Sequence, residues 1–254
     1  MYLSRGPIGG RVAEVGPGGS AAVALFLIAE GAGHVDLVDR FAFAHDPAVQ
    51  MRLYEEIVAR DPRLAARGLS ATDFGGSIDF HVGERAAAEV FFSVHSGYEA
   101  ICSCAVLEHL YDPLSALVAM ASALRPGGRM VHQVDLRDHG MFSAAGHHEL
   151  TFLTVPQWFY PHMSRRRGRP NRVLIHRYRE TLEQLDLRHE LLVTHLVGIG
   201  AIEPAPYEQV PAELRARAEA RAEEARGRLA PEFRHLPASD LAIASFRLVA
   251  EARA

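Results

Sequence analysis

The sequence predicts an α/β fold, a doubly wound and mostly parallel sheet of seven strands with helices on both faces. Three observations predict it. Short β-branched and apolar runs alternate with helical stretches at the spacing of βαβ units. Polar and glycine residues gather where those runs end, the edge at which open parallel sheets bind ligands. The 254 residues, 48% of them hydrophobic, suffice for one full core with an appendage.

The elements follow in order. Arg11 to Val15 is a β-branched and apolar run of buried-strand length, followed by the turn GPGG. Ser20 is placed to cap an apolar helix that runs to Gly31-Ala32-Gly33. HVDLVD, His34 to Asp39, is a second strand ending on a carboxylate. A helix is expected from Asp46 to about Arg67, because Asp-Pro is a good N-terminal signal. IDFHV (78–82) alternates as a third strand, and YEAICSCAVL (98–107) reads as a fourth, buried on both faces. A helix over Asp112 to Leu124 leads through the turn RPGG into a fifth strand, RMVHQVDL.

Past residue 138 the regularity breaks. Gly140 to Asn171 carries three histidines, the aromatic group Trp158, Phe159 and Tyr160, and the arginine run SRRRGRPNR. A helix near Tyr178 to Leu185, a sixth strand from Glu190 to Ile199, a polar helix from Pro211 to Leu229 and the strand DLAIASFRLVAEA complete the chain. The reading is a single domain over 1–254 with an insertion at 140–175 and a helical insertion at 201–240.

Composition excludes several classes. A net charge of -4 argues against coating nucleic acid. Cys102 and Cys104 are too few for a disulfide framework or a four-thiolate zinc site, and suit a reducing cytoplasm. The start MYLSRGPIGG lacks the apolar core of a signal peptide, and the longest apolar run, AAVALFLIA, is too short to span a bilayer. No membrane partner is expected.

The stretch VAEVGPGGS carries the first site. Its glycines let the chain turn sharply and let a ligand approach main-chain N–H groups at a helix N-terminus. The spacing Gly16-x-Gly18-x-x-Ala21 also fits a loose dinucleotide fingerprint. Glu14 discriminates. A carboxylate in an apolar strand is costly without a cationic or hydrogen-bonding partner. An amino acid's ammonium group would serve, whereas a pyrophosphate would be repelled. Asp39 stands where a carboxylate accepts from a ribose diol, and Glu84 where one reaches an adenine amino group. Pro17 and Arg40 belong to the same two turns.

Two histidines follow consecutive central strands. His109 lies in LEHL, and His139 lies in DLRDH with Asp135 and Asp138 close by to orient an imidazole. They rank equally as a general base. Asp135, Asp138, His139, His147, His148 and Glu149 lack the tight spacing of a metal site, and no metal is expected. The run from Ser164 to Arg172 reads either as a solvated loop or as a lip that attracts an anionic acceptor.

In combination, EVGPGGS, VDLVD, ICSCAVLEHLYDP and LRPGG before a strand resemble the class I S-adenosylmethionine-dependent methyltransferases, most closely the small-molecule branch with L-E-H after strand four. The resemblance covers Arg11 to Leu136 and implies a Rossmann-like sheet whose last strand is the antiparallel seventh. It implies S-adenosyl-L-methionine as cofactor, with Glu14, Gly16 and Gly18 at the methionine end, Asp39 at the ribose, Glu84 at the adenine edge and Cys104 beside the cofactor. Such enzymes usually carry covering helices before strand one, whereas about ten residues precede it here. The cover is therefore expected from Gly140 to Asn171, from elsewhere in the chain, from a partner subunit such as a second copy in a homodimer, or not at all.

Methyl transfer is an in-line displacement in which the protein holds the nucleophile in place and removes water. A base helps when the acceptor is a hydroxyl, so two candidate bases favour O- over N-methylation of a small molecule, in sugar or secondary-metabolite biosynthesis. An oxidoreductase using a dinucleotide, and a non-catalytic cofactor-binding partner subunit, stay open as alternatives.

Overall fold

The computed structural model describes residues 8–42, 46–164 and 169–253. The chain divides into two compact units, one of residues up to 104 with 115–131 and those from 250, the other of 105–114 and 132–249. In the first, β1 (Arg11–Val15) pairs in parallel with β2 (His34–Asp39) on one side and β4 (Tyr98–Cys104) on the other. β3 (Ile78–Val82) adds outside β2, again parallel. A central strand has no solvated face, which is why RVAEV is nearly all apolar. Val12, Val35 and Leu37 pack with Leu25 and Ile28 of α1 (Ala22–Ala29) in one core.

The helix expected from Asp46 to Arg67 is two helices. α2 (Pro47–Arg60) starts on Asp46, whose carboxylate accepts from the Ala48 and Val49 amides. It ends where Pro62 lacks an N–H, and Asp61 recaps the chain as α3 (Pro62–Ala66). Two further helices, α4 (Ala88–Val94) and α5 (Pro113–Ala123), flank β4 in the chain. β5 (Leu124–Asp135) already begins at Leu124, so the RPGG segment is part of the strand rather than a turn before it.

The second unit holds α6 (Tyr160–Ser164), α7 (Ile175–Glu183), β6 (Leu187–Leu196), β7 (Gly200–Ala205), α8 (Ala212–Arg226), two short helices α9 (Pro231–Arg234) and α10 (Ala238–Leu241), and most of β8 (Ile243–Ala252). The sheet has eight strands in the order β3-β2-β1-β4-β5-β8-β6-β7, one more than expected. The extra strand is β7, antiparallel to β6 at the sheet edge, in the stretch that had read as wholly helical insertion. Pro204 cannot donate to a ladder, and an edge strand is where a sheet tolerates it. β8 runs antiparallel to β5, as expected of the last strand: the Gly127 amide donates to the Arg253 carbonyl at 3.4 Å and Leu136 to Ala244 at 2.9 Å.

The insertion at 140–175 is packed. Phe152, Leu153, Tyr160 and Leu174 share a core with Ala222, Ala225 and Leu229. The aromatic group divides, with Tyr160 buried and Trp158 75% exposed. Among the described residues no helix is long and apolar enough to cross a membrane.

Gly128 is where β5 admits no side chain. A Cβ there would lie 2.6 Å from the Tyr98 carbonyl oxygen and 2.8 Å from that of Arg125, both backbone atoms. Gly128→Ala should therefore lower the unfolding free energy by about 1–3 kcal/mol in urea denaturation. A variant as stable as the parent would show that the strand shifts freely.

Candidate functional site

In the first unit the turn after β1 places Gly16, Gly18 and Gly19 at φ of 68°, 63° and 76°, a region that side chains avoid. The Gly16 amide donates to the Val38 carbonyl at 2.9 Å, which fixes the turn against β2. A Cβ on Gly18 would meet nothing within 4 Å, so the turn faces open space. Ser20 does not cap α1. The cap position is Ala21, whose amide donates to the Tyr54 hydroxyl at 2.8 Å, while Ser20 Oγ accepts from Ala22 at 3.2 Å.

Glu14 is 7% exposed and its Oε2 has no hydrogen-bond partner. Burial pushes its pKa up to about 7. Its register partner on β4 is Cys102, whose thiol is raised by burial and further by the Glu14 charge. Cys104, at the end of β4, is exposed.

Asp39 ends β2. Its Oδ1 accepts from the Phe41 amide at 2.9 Å, and burial still raises its pKa. Together with Pro17, Gly19, Phe41, Phe80 and Val82 it lines a cavity of about 110 Å³. Arg40 pairs with Glu84 and approaches Glu89 at 3.7 Å. Glu84, expected at the adenine edge, is an exposed carboxylate paired with Arg40.

In the second unit the turn Leu107–His109 follows β4 in the chain. Glu108 is 1% exposed, and neither carboxylate oxygen has a hydrogen-bond partner. Burial pushes its pKa up to about 8, although its own amide and that of Asp135 lie near enough to ease the charge without bonding to it. The rings of His109 and His139 meet nearly perpendicular, with centroids 4.7 Å apart. Burial, then the neighbouring His139, lowers the His109 pKa. His139 holds φ at 51°, a conformation that costs a side-chain-bearing residue about 1–2 kcal/mol. Its Nε2 lies 3.7 Å from Asp135 Oδ2 and 4.0 Å from Glu108 Oε1.

Asp138 does not orient His139. Its carboxylate accepts from the amides of Gly140, Phe142 and Ser143 at 3.0, 2.7 and 2.7 Å and from the Ser143 hydroxyl at 2.6 Å. Burial would raise its pKa, but these bonds hold it below the usual carboxylate range. It builds the turn that presents His139, and Asp135 and Glu108 are the carboxylates beside the imidazole. His148 and Glu149 are engaged elsewhere: His148 Nε2 donates to the Arg221 carbonyl at 2.8 Å, and Glu149 pairs with Arg221 at 3.1 Å.

Sequence reasoning missed Asn171, which holds the Leu107–His109 turn, and the packing role of Arg172 in the insertion. The Asn171 amide donates to the Glu108 carbonyl at 2.7 Å, and its Nδ2 donates to the Leu107 and Leu110 carbonyls at 2.8 and 3.0 Å. Arg172, read as the end of a charged lip, is buried. Its guanidinium stacks 3.9 Å from the Tyr160 ring centroid and donates to the Val155 carbonyl at 2.6 Å. Residues 165–168 of the arginine run lie outside the described residues. A separate cavity of about 330 Å³ is lined by Leu136, Arg137, Leu150, His195, Val197 and Asp240, among others.

Residues 2–189 match a family described as a methyltransferase domain. No curated protein matches the chain. Among solved structures, a Listeria monocytogenes protein described as an S-adenosylmethionine-dependent methyltransferase is similar at a TM-score of 0.50 and 13% identity, over 96% of this chain and 91% of that one. Bacillus subtilis YcgJ gives a TM-score of 0.49 at 13% identity over 99% and 95% of the two chains. The Haloferax volcanii methyltransferase solved with its Trm112 activator gives 0.48 at 17% identity over 100% and 88%. At these identities the likeness is one of fold.

Glu14 and Glu108 both bind protons more tightly in the folded state than in the unfolded chain, with folded pKa values of about 7 and about 8. Stability contributed this way is fully present below the ordinary carboxylate pKa and is lost as pH rises through the raised values. Unfolding free energy should thus fall by a few kcal/mol between about pH 5 and about pH 9, and Glu14→Gln and Glu108→Gln should each flatten the decline. Urea denaturation across pH checks this. An unchanged slope in both variants would mean that the carboxylates are solvated.

Proposed function

The chain belongs to the methyltransferase-domain family; from that premise we propose that it is an S-adenosylmethionine-dependent enzyme that binds the cofactor through Glu14, the Gly16–Gly18 turn and Asp39, and methylates a hydroxyl of a small molecule. The observation that carries the cofactor assignment is the buried Oε2 of Glu14, which lacks a partner beside a glycine turn open to space. An amino acid's ammonium group supplies the missing donor. Asp39 offers a half-buried carboxylate to a ribose diol, next to a cavity whose Phe41, Phe80 and Val82 suit a flat apolar base. A dinucleotide would set a pyrophosphate against the carboxylate of Glu14, which argues against the oxidoreductase alternative.

S-adenosylmethionine supplies a methyl group already made electrophilic by its sulfonium. The chain's own residues then position the acceptor and manage its proton. Burial keeps the His109 imidazole neutral at ordinary pH, so it can accept a proton or a coordination bond. His139 stands beside it with Asp135 and Glu108 near its Nε2. This paired arrangement is the reason to favour a hydroxyl acceptor over an amine. Arg172 is committed to the packing of the insertion, so an anionic acceptor would depend on the other arginines of its run.

Asp39→Ala should weaken binding of S-adenosylhomocysteine by at least about tenfold, since a hydrogen bond to a charged group contributes about 1.5–3 kcal/mol. Unchanged affinity by calorimetry in the folded variant would remove Asp39 from the site.

His109→Gln and His139→Gln should lower turnover by ~10²–10⁴-fold while leaving that affinity intact. The assay uses labelled S-adenosylmethionine and an acceptor found by screening a metabolite panel. Near-normal rates in both variants would turn the assignment toward an amine or thiol acceptor.

A further inference from the structure

We propose that Glu108, His109 and His139 form a binding site for one divalent first-row transition-metal ion. Each residue brings one ligand atom, and the three atoms lie within 4.8 Å of one another. The geometry around them points the same way. Both oxygens of Glu108 and the Nδ1 of His109 are buried and have no hydrogen-bond partner.

The backbone carrying the three residues is fixed from both sides. Asn171 pins the turn of Glu108 and His109 through the carbonyls of Leu107, Glu108 and Leu110. The fully bonded Asp138 pins the turn that holds His139 in its left-handed conformation. Ligand atoms around such an ion sit about 2.0–2.2 Å from it, so the cluster need only contract by side-chain rotation. Two imidazole nitrogens and one carboxylate oxygen suit manganese, iron, cobalt, nickel or zinc, whereas magnesium and calcium prefer oxygen throughout. Three protein ligands leave positions open for water or an acceptor oxygen.

A second group with similar spacing, His34, Asp36 and Asp79, shows what a site without this need looks like. Asp36 already accepts from Arg11 at 2.6 Å, His81 at 2.8 Å and Tyr98 at 2.9 Å. Its central carboxylate is thus already supplied with donors, unlike that of Glu108.

The link to methyl transfer rests on the proposed function, but the cation site is testable apart from it. The full-length chain, stripped with a chelator, is titrated with cobalt(II) and followed by visible absorption, and with zinc(II) and manganese(II) by calorimetry. One equivalent per chain should bind, and Glu108→Gln and His139→Gln should each weaken binding at least about tenfold, while His34→Gln leaves it unchanged. Absence of saturable binding, or binding indifferent to the first two variants, overturns the site. S-adenosylhomocysteine is titrated into the same samples. Retained affinity in the variants shows that they are folded, and a chain that binds the cation but never the cofactor keeps the metal site and sinks the methyl-transfer reading.

Discussion

A carboxylate taken out of water must find a proton, a cation or a set of hydrogen-bond donors, and the described sites of this chain are organised by how each buried carboxylate meets that demand. Among the described residues five acidic side chains are buried, Glu14, Asp36, Glu108, Asp138 and Asp240, the last paired with Arg179 at 3.0 Å. Asp36 and Asp138 are satisfied within the fold, by an arginine, a histidine and a tyrosine in one case and by three amides and a hydroxyl in the other. Both have lowered pKa values despite burial. Glu14 and Glu108 lack such donors, and both are raised. Burial alone does not separate the pairs, but donor supply does.

The surrounding structure explains why no internal donor reaches Glu14 and Glu108. β1 is flanked by parallel strands, so the Glu14 side chain leaves a strand with no solvated face and arrives beside a turn of glycines that carry no side chains at all. In the second unit, Arg137 is the nearby cation, yet it is spent on Asp135, with contacts of 2.6 and 2.8 Å. Asn171 uses its donors on the carbonyls of Leu107, Glu108 and Leu110, which holds the Glu108 turn without neutralising it. The same residue that gives the turn its rigidity thus withholds compensation from its centre.

This division explains what was legible in the sequence. β1, β2 and β4 were readable because a buried parallel strand must be almost continuously apolar, and Glu14 stood out for breaking that rule. The glycine turn and Asp39 followed from the same local pattern. β7 was hidden because GAIEPA holds a proline and lies beside a long polar helix, and only its pairing with β6 makes it a strand. The break at Pro62 was available in the sequence, since Asp61-Pro62 repeats the signal that opened the helix at Asp46-Pro47. Asp138 adjoins His139 in sequence, which suggests contact, yet its carboxylate is filled by the amides and hydroxyl of the following turn, a demand that sequence proximity does not reveal. Asn171 and Arg172 gave no signal, because their partners lie far away in the chain and an arginine beside other arginines looks solvated.

The raised carboxylates also tie stability to occupancy. Each unit of pKa shift corresponds to about 1.4 kcal/mol, so two groups held near 7 and 8 cost several kcal/mol when ionised, a large share of the roughly 5–15 kcal/mol that stabilises a domain. The strained φ of His139 adds to that cost in the second unit. A ligand that brings an ammonium to Glu14, or a cation to Glu108, stabilises the folded chain in proportion to how far it restores the missing partner. In both places the incomplete hydrogen bonding that lowers the stability of the fold is the same feature on which the proposed ligands depend, so a substitution that fills the missing bonds stabilises the chain and weakens the proposed binding together.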